Sequence, residues 1–406
     1  MTVDSATSVL PERWTLKKLK YVARMASGDA ITSDEIRETD DYPVFGGNGL
    51  RGFTDRFNRE GDYVLIGRQG ALCGNINYAS GKFWASEHAI VADTQGTAEV
   101  RWLGELLSFM NLNQYSQSAA QPGIAVEVIA NLPIPVPPRS TQHAIALFLN
   151  RETAEIDILI AAKQRLLELM AEKRRAIVAE AVMRGLNPGV RLRPSGIDWL
   201  GDIPAHWEVK KLKYLGNAII GLTYDPVDIV DSTSGTLVLR ASNVKDQKIV
   251  LDDTVYVRSN IPEQLLTRDR DILICVRSGS RALVGKCAMI DQESSGNSFG
   301  AFMTIFRGEF NGFLFYAFNS PLFEYQSSAF STTTINQLTN ETLNNIHVPF
   351  PPLAEQYEIV SHIAAESAKI DRLRAATEHS IALLKERRGA LIAAAVTGQI
   401  DIPEAA

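Results

Sequence analysis

Arginine, glutamine and asparagine side chains on glycine-rich turns are the residues whose types and spacing could do chemistry here. Gly46-Gly47-Asn48-Gly49 and Gly67-Arg68-Gln69-Gly70 lie in the first half of the sequence; Arg240-Ala241-Ser242-Asn243 and Arg277-Ser278-Gly279-Ser280-Arg281 lie in the second. A glycine lets the backbone approach a partner closely. An arginine fork matches the guanine edge and an asparagine or glutamine amide the adenine edge, each pairing giving about 1–3 kcal/mol of discrimination. Arg51, Lys82 and Lys286 are of the type that holds phosphate. A plainer reading stands beside each: an Arg-x-Gly turn after a strand can tie its arginine to a carboxylate of its own domain, and a single lysine is usually solvated charge.

Other chemistries lack their residues. A metal-dependent nuclease needs clustered carboxylates to hold a cation and activate water, whereas Glu172-Lys173 and Glu386-Arg387 read as helix-surface charges. The aspartate-proline turn at Asp225-Pro226 continues as Val227-Asp228, not as the aromatic loop that grips a target amine, and Phe45-Gly46-Gly47 lacks the rest of a glycine-rich cofactor turn. Cys73, Cys275 and Cys287 show no CxxC spacing, so neither a disulfide framework nor a zinc site is expected. The expectation is a non-catalytic chain with no cofactor or metal of its own.

The 406 residues exceed one ordinary core, so two or three globular units are expected. With 45% hydrophobic and 22% charged residues, the composition is that of a folded, non-membrane protein. No window approaches about 18 uninterrupted apolar residues, and MTVDSATSVLPERW has no basic-then-apolar leader pattern, which predicts a cytoplasmic protein. The formal net charge of −6 excludes a chain that coats nucleic acid nonspecifically, so any such contact must come from local patches.

The elements that position the turns are duplicated. LPERWTLKKLKY (Leu10 to Tyr21) recurs as IPAHWEVKKLKY (Ile203 to Tyr214), 193 residues on when Trp14 is set against Trp207. EVIANLPIPVPPRSTQ (Glu127 to Gln142) matches ETLNNIHVPFPPLAEQ (Glu341 to Gln356) at an offset of 214, which then holds without a gap through Val182 and Val396. The inserts between these motifs differ by 21 residues and align poorly. A frame kept constant around two divergent inserts is the pattern of a scaffold carrying two different readers. Lys17, Lys18 and Lys20, with Lys210, Lys211 and Lys213, belong to the constant frame. A shared motif cannot encode sequence, so backbone contact or subunit docking suits these lysines better.

Each copy ends in a predicted long helix. The stretch Ser140 to Arg184 has neither proline nor glycine, and a four-three spacing runs through Ile145, Leu149, Glu152, Ile156, Leu159, Lys163, Leu166, Met170, Lys173 and Ile177. Its counterpart is Ile359, Ile363, Glu366, Ile370, Leu373, Thr377, Ser380, Leu384, Arg387 and Leu391, with Ile381 covering the weak place. This heptad seam predicts that the helices pair as a coiled coil, the alternative being two amphipathic helices on separate cores. Leu167, Leu169 and Val178 lie off the first seam and would face a partner. The prolines of IPVPP and VPFPP end the preceding globule, and RGLNPGVRLRPSGIDWLGDIP reads as a linker. The inserts look α/β (α+β): GDYVLIGRQGALCGNI and HAIVAD, like TLVLRASNV, DILICVRSGS and FMTIFRG, are β-branched runs broken by glycine, and Trp102 to Met110 and Phe313 to Phe323 read as short helices. The expected boundaries are globule 1–139, helix 140–186, linker 187–202, globule 203–352, helix 353–400 and tail 401–406.

WTLKKLKY and WEVKKLKY before each insert, VPFPPLAEQYEI before a long helix, the linker SGIDWLGDIPAHW and the ending AAVTGQI together resemble the specificity subunits of Type I restriction-modification systems over nearly the whole chain. The departures are Ser140-Thr141-Gln142 against Ala354-Glu355-Gln356, and Pro194 where members often carry an acidic residue. The resemblance implies two target-recognition domains held apart by an antiparallel helix pair, each reading one half of a bipartite target on double-stranded DNA. It further implies two methyltransferase subunits, which carry S-adenosylmethionine, and restriction (helicase-nuclease) subunits as partners. The alternative is a scaffold whose two domains bind protein or sugar.

Overall fold

Proline-proline pairs stand at the entrance of two long helices, Arg139–Arg184 and Leu353–Val396, in the computed structural model of the chain. It describes residues 10–70, 72–116, 122–258, 260–329 and 337–403. After each proline pair a buried glutamine ties down the first turn: Gln142 Nε2 donates to the carbonyl of Pro137 at 3.0 Å, and Gln356 Nε2 to that of Pro351 at 2.9 Å. Each helix stops against a glycine of positive φ, Gly185 (+78°) or Gly398 (+72°), a conformation other residues adopt only with strain. The helices therefore end at Arg184 and Val396, short of the expected 186 and 400.

The chain divides into two compact units, Met1–Arg165 with Glu378–Ala406, and Leu166–Thr377, so each long helix is shared between them. In the first unit a four-stranded antiparallel sheet runs in the order Arg24–Ser27, Ala89–Asp93, Tyr63–Gly67, Ile76–Ala79. Successive strand residues face opposite sides. Val64 and Ile66 pack on the helix Val100–Phe109 and on Ile145, Leu149, Ile392 and Val396 of the long helices, while Leu65 packs on Phe83, Ala85 and Val91. Phe83 and Ala85 belong to a second sheet, ordered Gly49–Thr54, Tyr42–Gly46, Lys82–Ala85, Arg59–Glu60.

The second unit repeats the plan. Its sheet runs Asn217–Ile220, Met303–Arg307, Ile272–Cys275, Cys287–Met289. Ile272 and Ile274 face the helical core, and Leu273 and Cys275 face Leu237, Leu239 and Phe299 of a second sheet, ordered Ile229–Val230, Tyr256–Val257, Thr236–Leu239, Ser298–Phe299. Most of the extra length lies in one place: 38 residues separate Leu239 from Arg277, where 24 separate the equivalent Phe45 and Gln69. The surplus includes the small hairpin of Val244–Lys245 and Lys248–Ile249. The helix expected over Phe313 to Phe323 is two, Asn311–Phe318 and Pro321–Ala329, because Pro321 has no N–H to continue the first.

The recurring motifs are neighbours in space. In the first unit Thr15–Lys18 pairs with Pro133–Val136, and in the second Glu208–Lys211 pairs with His347–Phe350. The opening tryptophans close the circuit: a Cβ on Gly398 would meet Trp14 at 3.1 Å, and one on Gly185 would meet Trp207 at 3.1 Å. Each helix thus ends on the start of the other copy. Glu355, which stands where the first copy has Thr141, also accepts the Trp207 indole N–H at 2.9 Å.

Within each unit the two helix segments run antiparallel. Ile145 and Leu149 meet Ile392 and Val396 in the first core, and Val178 and Val182 meet Ile359 and Ile363 in the second. The seam departs from the heptad reading. Ile156 is buried, but Leu159, Leu166 and Leu373 are 50%, 42% and 57% exposed. The inward residues are Ile145, Ile156, Leu167 and Val178, and Ile359, Ile370, Ile381 and Ile392, each set at intervals of 11 residues and related to the other by the 214 offset. Eleven residues in three turns is 3.67 per turn, close to the natural winding of the helix, so these helices need no left-handed supercoil to keep one face inward. Thr153, not Glu152, continues the first seam, its hydroxyl donating to the Leu149 carbonyl at 2.6 Å. Val178 is accordingly core and not partner-facing, Leu167 is half-buried, and Leu169 remains exposed. Among the described residues no helix is long and apolar enough to cross a membrane.

Candidate nucleic-acid interface

Three polar turns converge in the first unit where its two sheets meet. The turn after Tyr63–Gly67 is clasped by backbone bonds, Arg68 N–H donating to the His88 carbonyl at 2.9 Å and Ile124 N–H to the Arg68 carbonyl at 2.9 Å. Gly47 packs against the carbonyls of His88 and Gln69, and a Cβ on Gly67 would lie 2.3 Å from the Gly47 carbonyl oxygen, so both glycines are required by the close approach. This brings Asn48, Gln69 and His88 together, with Gln69 Oε1 3.1 Å from His88 Nδ1 and Asn75 Nδ2 donating to Asn48 Oδ1 at 3.3 Å. Arg51 is exposed and lays its methylenes over Gly46. The Arg68 guanidinium reaches the Glu87 carbonyl at 3.5 Å and serves as a strut. The Nδ2 of Asn77 and Oε2 of Glu87, both buried, have no hydrogen-bond partner.

Lys82 does not join this group. It stands at the other end of its strand, opposite Glu60, with its ammonium 4.7 Å from the Phe57 ring centroid.

In the second unit the equivalent place is a cleft of about 970 Å³ lined by Tyr224, Arg240, Ser242, Arg277, Ser278 and Phe302, among others. The Arg277 guanidinium lies 5.1 Å from the centroid of the Phe302 ring, which is 58% exposed. Arg240 Nη2 is 2.8 Å from Asp253 Oδ2. Asn243 is no reader: fully buried, it accepts from the Arg240 N–H and donates to the carbonyls of Val250 and Asp253, at 2.8–2.9 Å. Its loop folds around it, and that burial leaves it no face for a base. Arg281 and Lys286 sit apart from Arg277, lining a second cleft of about 570 Å³ with Arg175, Asn319, Ser320 and Glu324. Ser280 is exposed on the connecting turn, its N–H held by Ser278 Oγ at 3.2 Å.

The lysines of the repeated opening differ between copies. Lys17, Lys18 and Lys20 are exposed, whereas Lys211 Nζ donates to Asn345 Oδ1 at 3.1 Å and Lys210 lies 4.5 Å over Phe350. All three cysteines are buried, and burial pushes the Cys287 thiol up to about 12.

Backbone contacts fix which positions of the two sites correspond. Gln69 bridges Gly123 and Arg277 bridges Gln337; Asp29 bridges Ser86 and Leu222 bridges Gly300. The Val276 and Arg277 N–H groups donate to the Phe302 carbonyl as Arg68 N–H does to that of His88. Gly123 and Gln337, Ser86 and Gly300, and His88 and Phe302 each stand 214 apart. His88 and Phe302 were not among the sequence candidates, although that offset, carried back from the proline motifs to the strands HAIVAD and FMTIFRG, picks them out.

A family model for the Type I restriction modification DNA specificity domain matches residues 11–168 and again 204–377. The EcoprrI specificity subunit of Escherichia coli is 40% identical over 139 residues, 33% of this chain and 35% of that protein. The EcoKI specificity subunit of Escherichia coli strain K12 is 30% identical over 207 residues, 49% of this chain and 44% of that protein. The chain thus spans less than half the length of these two relatives in the matched stretches. A solved chain, from work on complex assembly and conformational transition of the type I R-M system, superposes with a TM-score of 0.73 at 17% identity, covering 97% of this chain and 100% of that one. At that identity the likeness is one of fold.

Proposed function

Because the chain belongs to the Type I restriction modification DNA specificity domain family, matched in both of its copies, we propose that it selects the DNA sequence for such a system. Each unit reads one half of an asymmetric, bipartite target, and the two long helices set the unspecified gap and dock two methyltransferase subunits. The chain itself catalyses nothing. Methyl transfer, with its S-adenosylmethionine, and cleavage belong to the methyltransferase and restriction subunits.

One observation carries the proposal. Two sites built on the same backbone frame present different side chains, Asn48, Gln69 and His88 in one and Ser242, Arg277 and Phe302 in the other. Equal frames with unequal contents fit two different half-sites read by related domains, as a DNA dyad read by paired domains demands. A net charge of −6 confines phosphate contact to patches such as Lys17, Lys18 and Lys20, so base contact must supply much of the selectivity.

The test is to purify the full chain with methyltransferase subunits and map the methylated positions on random-sequence DNA. The expected result is one interrupted, asymmetric consensus with two short specified ends. Methylation without a consensus, or none together with no sequence-dependent DNA binding, overturns the proposal.

A further inference from the structure

Two positions, one beside the other, hold unlike pairs in the two units. The first position is Gln69 or Arg277, fixed by its bridge to Gly123 or Gln337. The second is His88 or Phe302, whose carbonyl receives the N–H of the preceding turn at 2.9 or 3.0 Å. In both units the side chain at the second position holds the one at the first: His88 Nδ1 lies 3.1 Å from Gln69 Oε1, and the Phe302 ring lies 5.1 Å beneath the Arg277 guanidinium. Gln69 and Arg277 are both exposed. We propose that this pair of positions determines one base in each half-site, Gln69 on its His88 support selecting adenine and Arg277 on its Phe302 support selecting guanine. The inference rests on the DNA-reading function proposed above and assigns its discriminating residues.

The chemistry follows from the groups at hand. An imidazole in its Nδ1–H tautomer donates to Gln69 Oε1 and fixes the plane of the amide. The amide then offers Nε2–H to adenine N7, and its second oxygen lone pair to the adenine amino group, the bidentate pattern by which glutamine reads that base. An arginine stacked on an aromatic face keeps its donors free and its plane set. Two parallel N–H donors match O6 and N7 of guanine, and adenine, which offers a donor where guanine has O6, does not fit them. In the second unit the 970 Å³ cleft opens beside Arg277 and Phe302.

His88 and Phe302 are positioning residues. They act through the neighbour they hold, and replacing them loosens one base without moving the rest of the half-site.

The experiment maps methylation consensus sequences for the full chain in complex with methyltransferase subunits, in the wild type and in Gln69→Arg, Gln69→Ala and Arg277→Gln. Gln69→Arg is expected to change a single first-half position from adenine to guanine and leave the second half as it was; Arg277→Gln does the converse. Gln69→Ala is expected to relax that same position by about ten- to a hundredfold. His88→Ala reproduces part of that relaxation, and His88→Asn, which restores a donor, recovers it. An unaltered first half in both Gln69 variants overturns the inference while the proposed function stands, the second half serving as the control for folding and assembly. A wild-type complex that yields no interrupted consensus removes the proposed function and this inference with it.

Discussion

The guanidinium of Arg388 holds both carboxylate oxygens of Asp157, at 2.9 and 3.3 Å. The same pairing occurs with the copies exchanged. Arg174, 214 residues before Arg388, pairs with Asp371, 214 residues after Asp157, and also donates to the Ser367 carbonyl at 3.1 Å. One interaction thus serves in each unit, its arginine and aspartate taken from opposite copies. Such a pattern pins the antiparallel register of the helices, since a slip by one turn would part both pairs. The groups are partly solvated, with Arg388 33% and Asp157 52% exposed, so each pair contributes no more than about 1 kcal/mol. Asp157→Arg is expected to lower the denaturant midpoint slightly, and adding Arg388→Asp should restore it. A double variant no more stable than the sum of its singles would deny the pair this role.

The 11-residue seam predicts a contrast between two residues three apart. Ile156 is 6% exposed and Leu159 50%. Ile156→Ala removes a buried side chain and leaves a cavity, at a cost of about 2–4 kcal/mol. Leu159→Ala stays within about 0.5 kcal/mol. Chemical denaturation of the two variants decides the matter, and equal losses would favour the four-three seam.

That contrast also shows what the sequence carried and where it misled. The helices are legible because proline pairs start them and no glycine interrupts them before Gly185 and Gly389. Both periodicities share Ile145, Leu149 and Ile156; they part at Glu152, where the neighbouring Thr153 is the buried residue, and again at Leu159, a hydrophobe just off the inward face. An apolar residue at an exposed position draws a pattern toward itself, and burial alone separates the two readings. The turns were legible as turns, because β-branched runs end in glycine there. The fate of each side chain was not. Asn243 and Ser242 are adjacent, small and polar, yet one is sealed inside its loop by carbonyls from Val250 and Asp253 and the other lines the cleft. Those carbonyls reach Asn243 through a fold of the loop that no local pattern records.

His347 gives the second unit a pH dependence. Its burial, with the Lys211 charge across the strand pair, holds the imidazole below its ordinary 6.5. The unfolded chain therefore binds more protons than the folded one once the pH falls below about 6.5. Stability is full above that value and declines as the pH drops from 6.5 toward the depressed folded value. His347→Gln should flatten the fall in melting temperature between pH 7.5 and 5.5, measured on the whole chain. An unchanged slope would place the titration elsewhere.

Insertions into the long helices test whether the rods set the gap. Eleven residues make three whole turns of the observed seam, so adding 11 to both helices near the centre returns every downstream residue to its face. Seven residues return the face only on a heptad winding, and on a 3.67 winding they leave it rotated by about 30°. The 11-residue insertion adds about 16 Å of helix, up to about five base pairs of duplex. The expected consensus from a complex with methyltransferase subunits keeps both half-sites and widens the unspecified gap by that order. The seven-residue insertion, which turns Val178 and Ile392 away from their cores, should lower the melting temperature and the methylation yield together. Should the 11-residue variant fold and methylate with its gap unchanged, the helices do not measure the target, and the spacing must be imposed by the subunits docked on them.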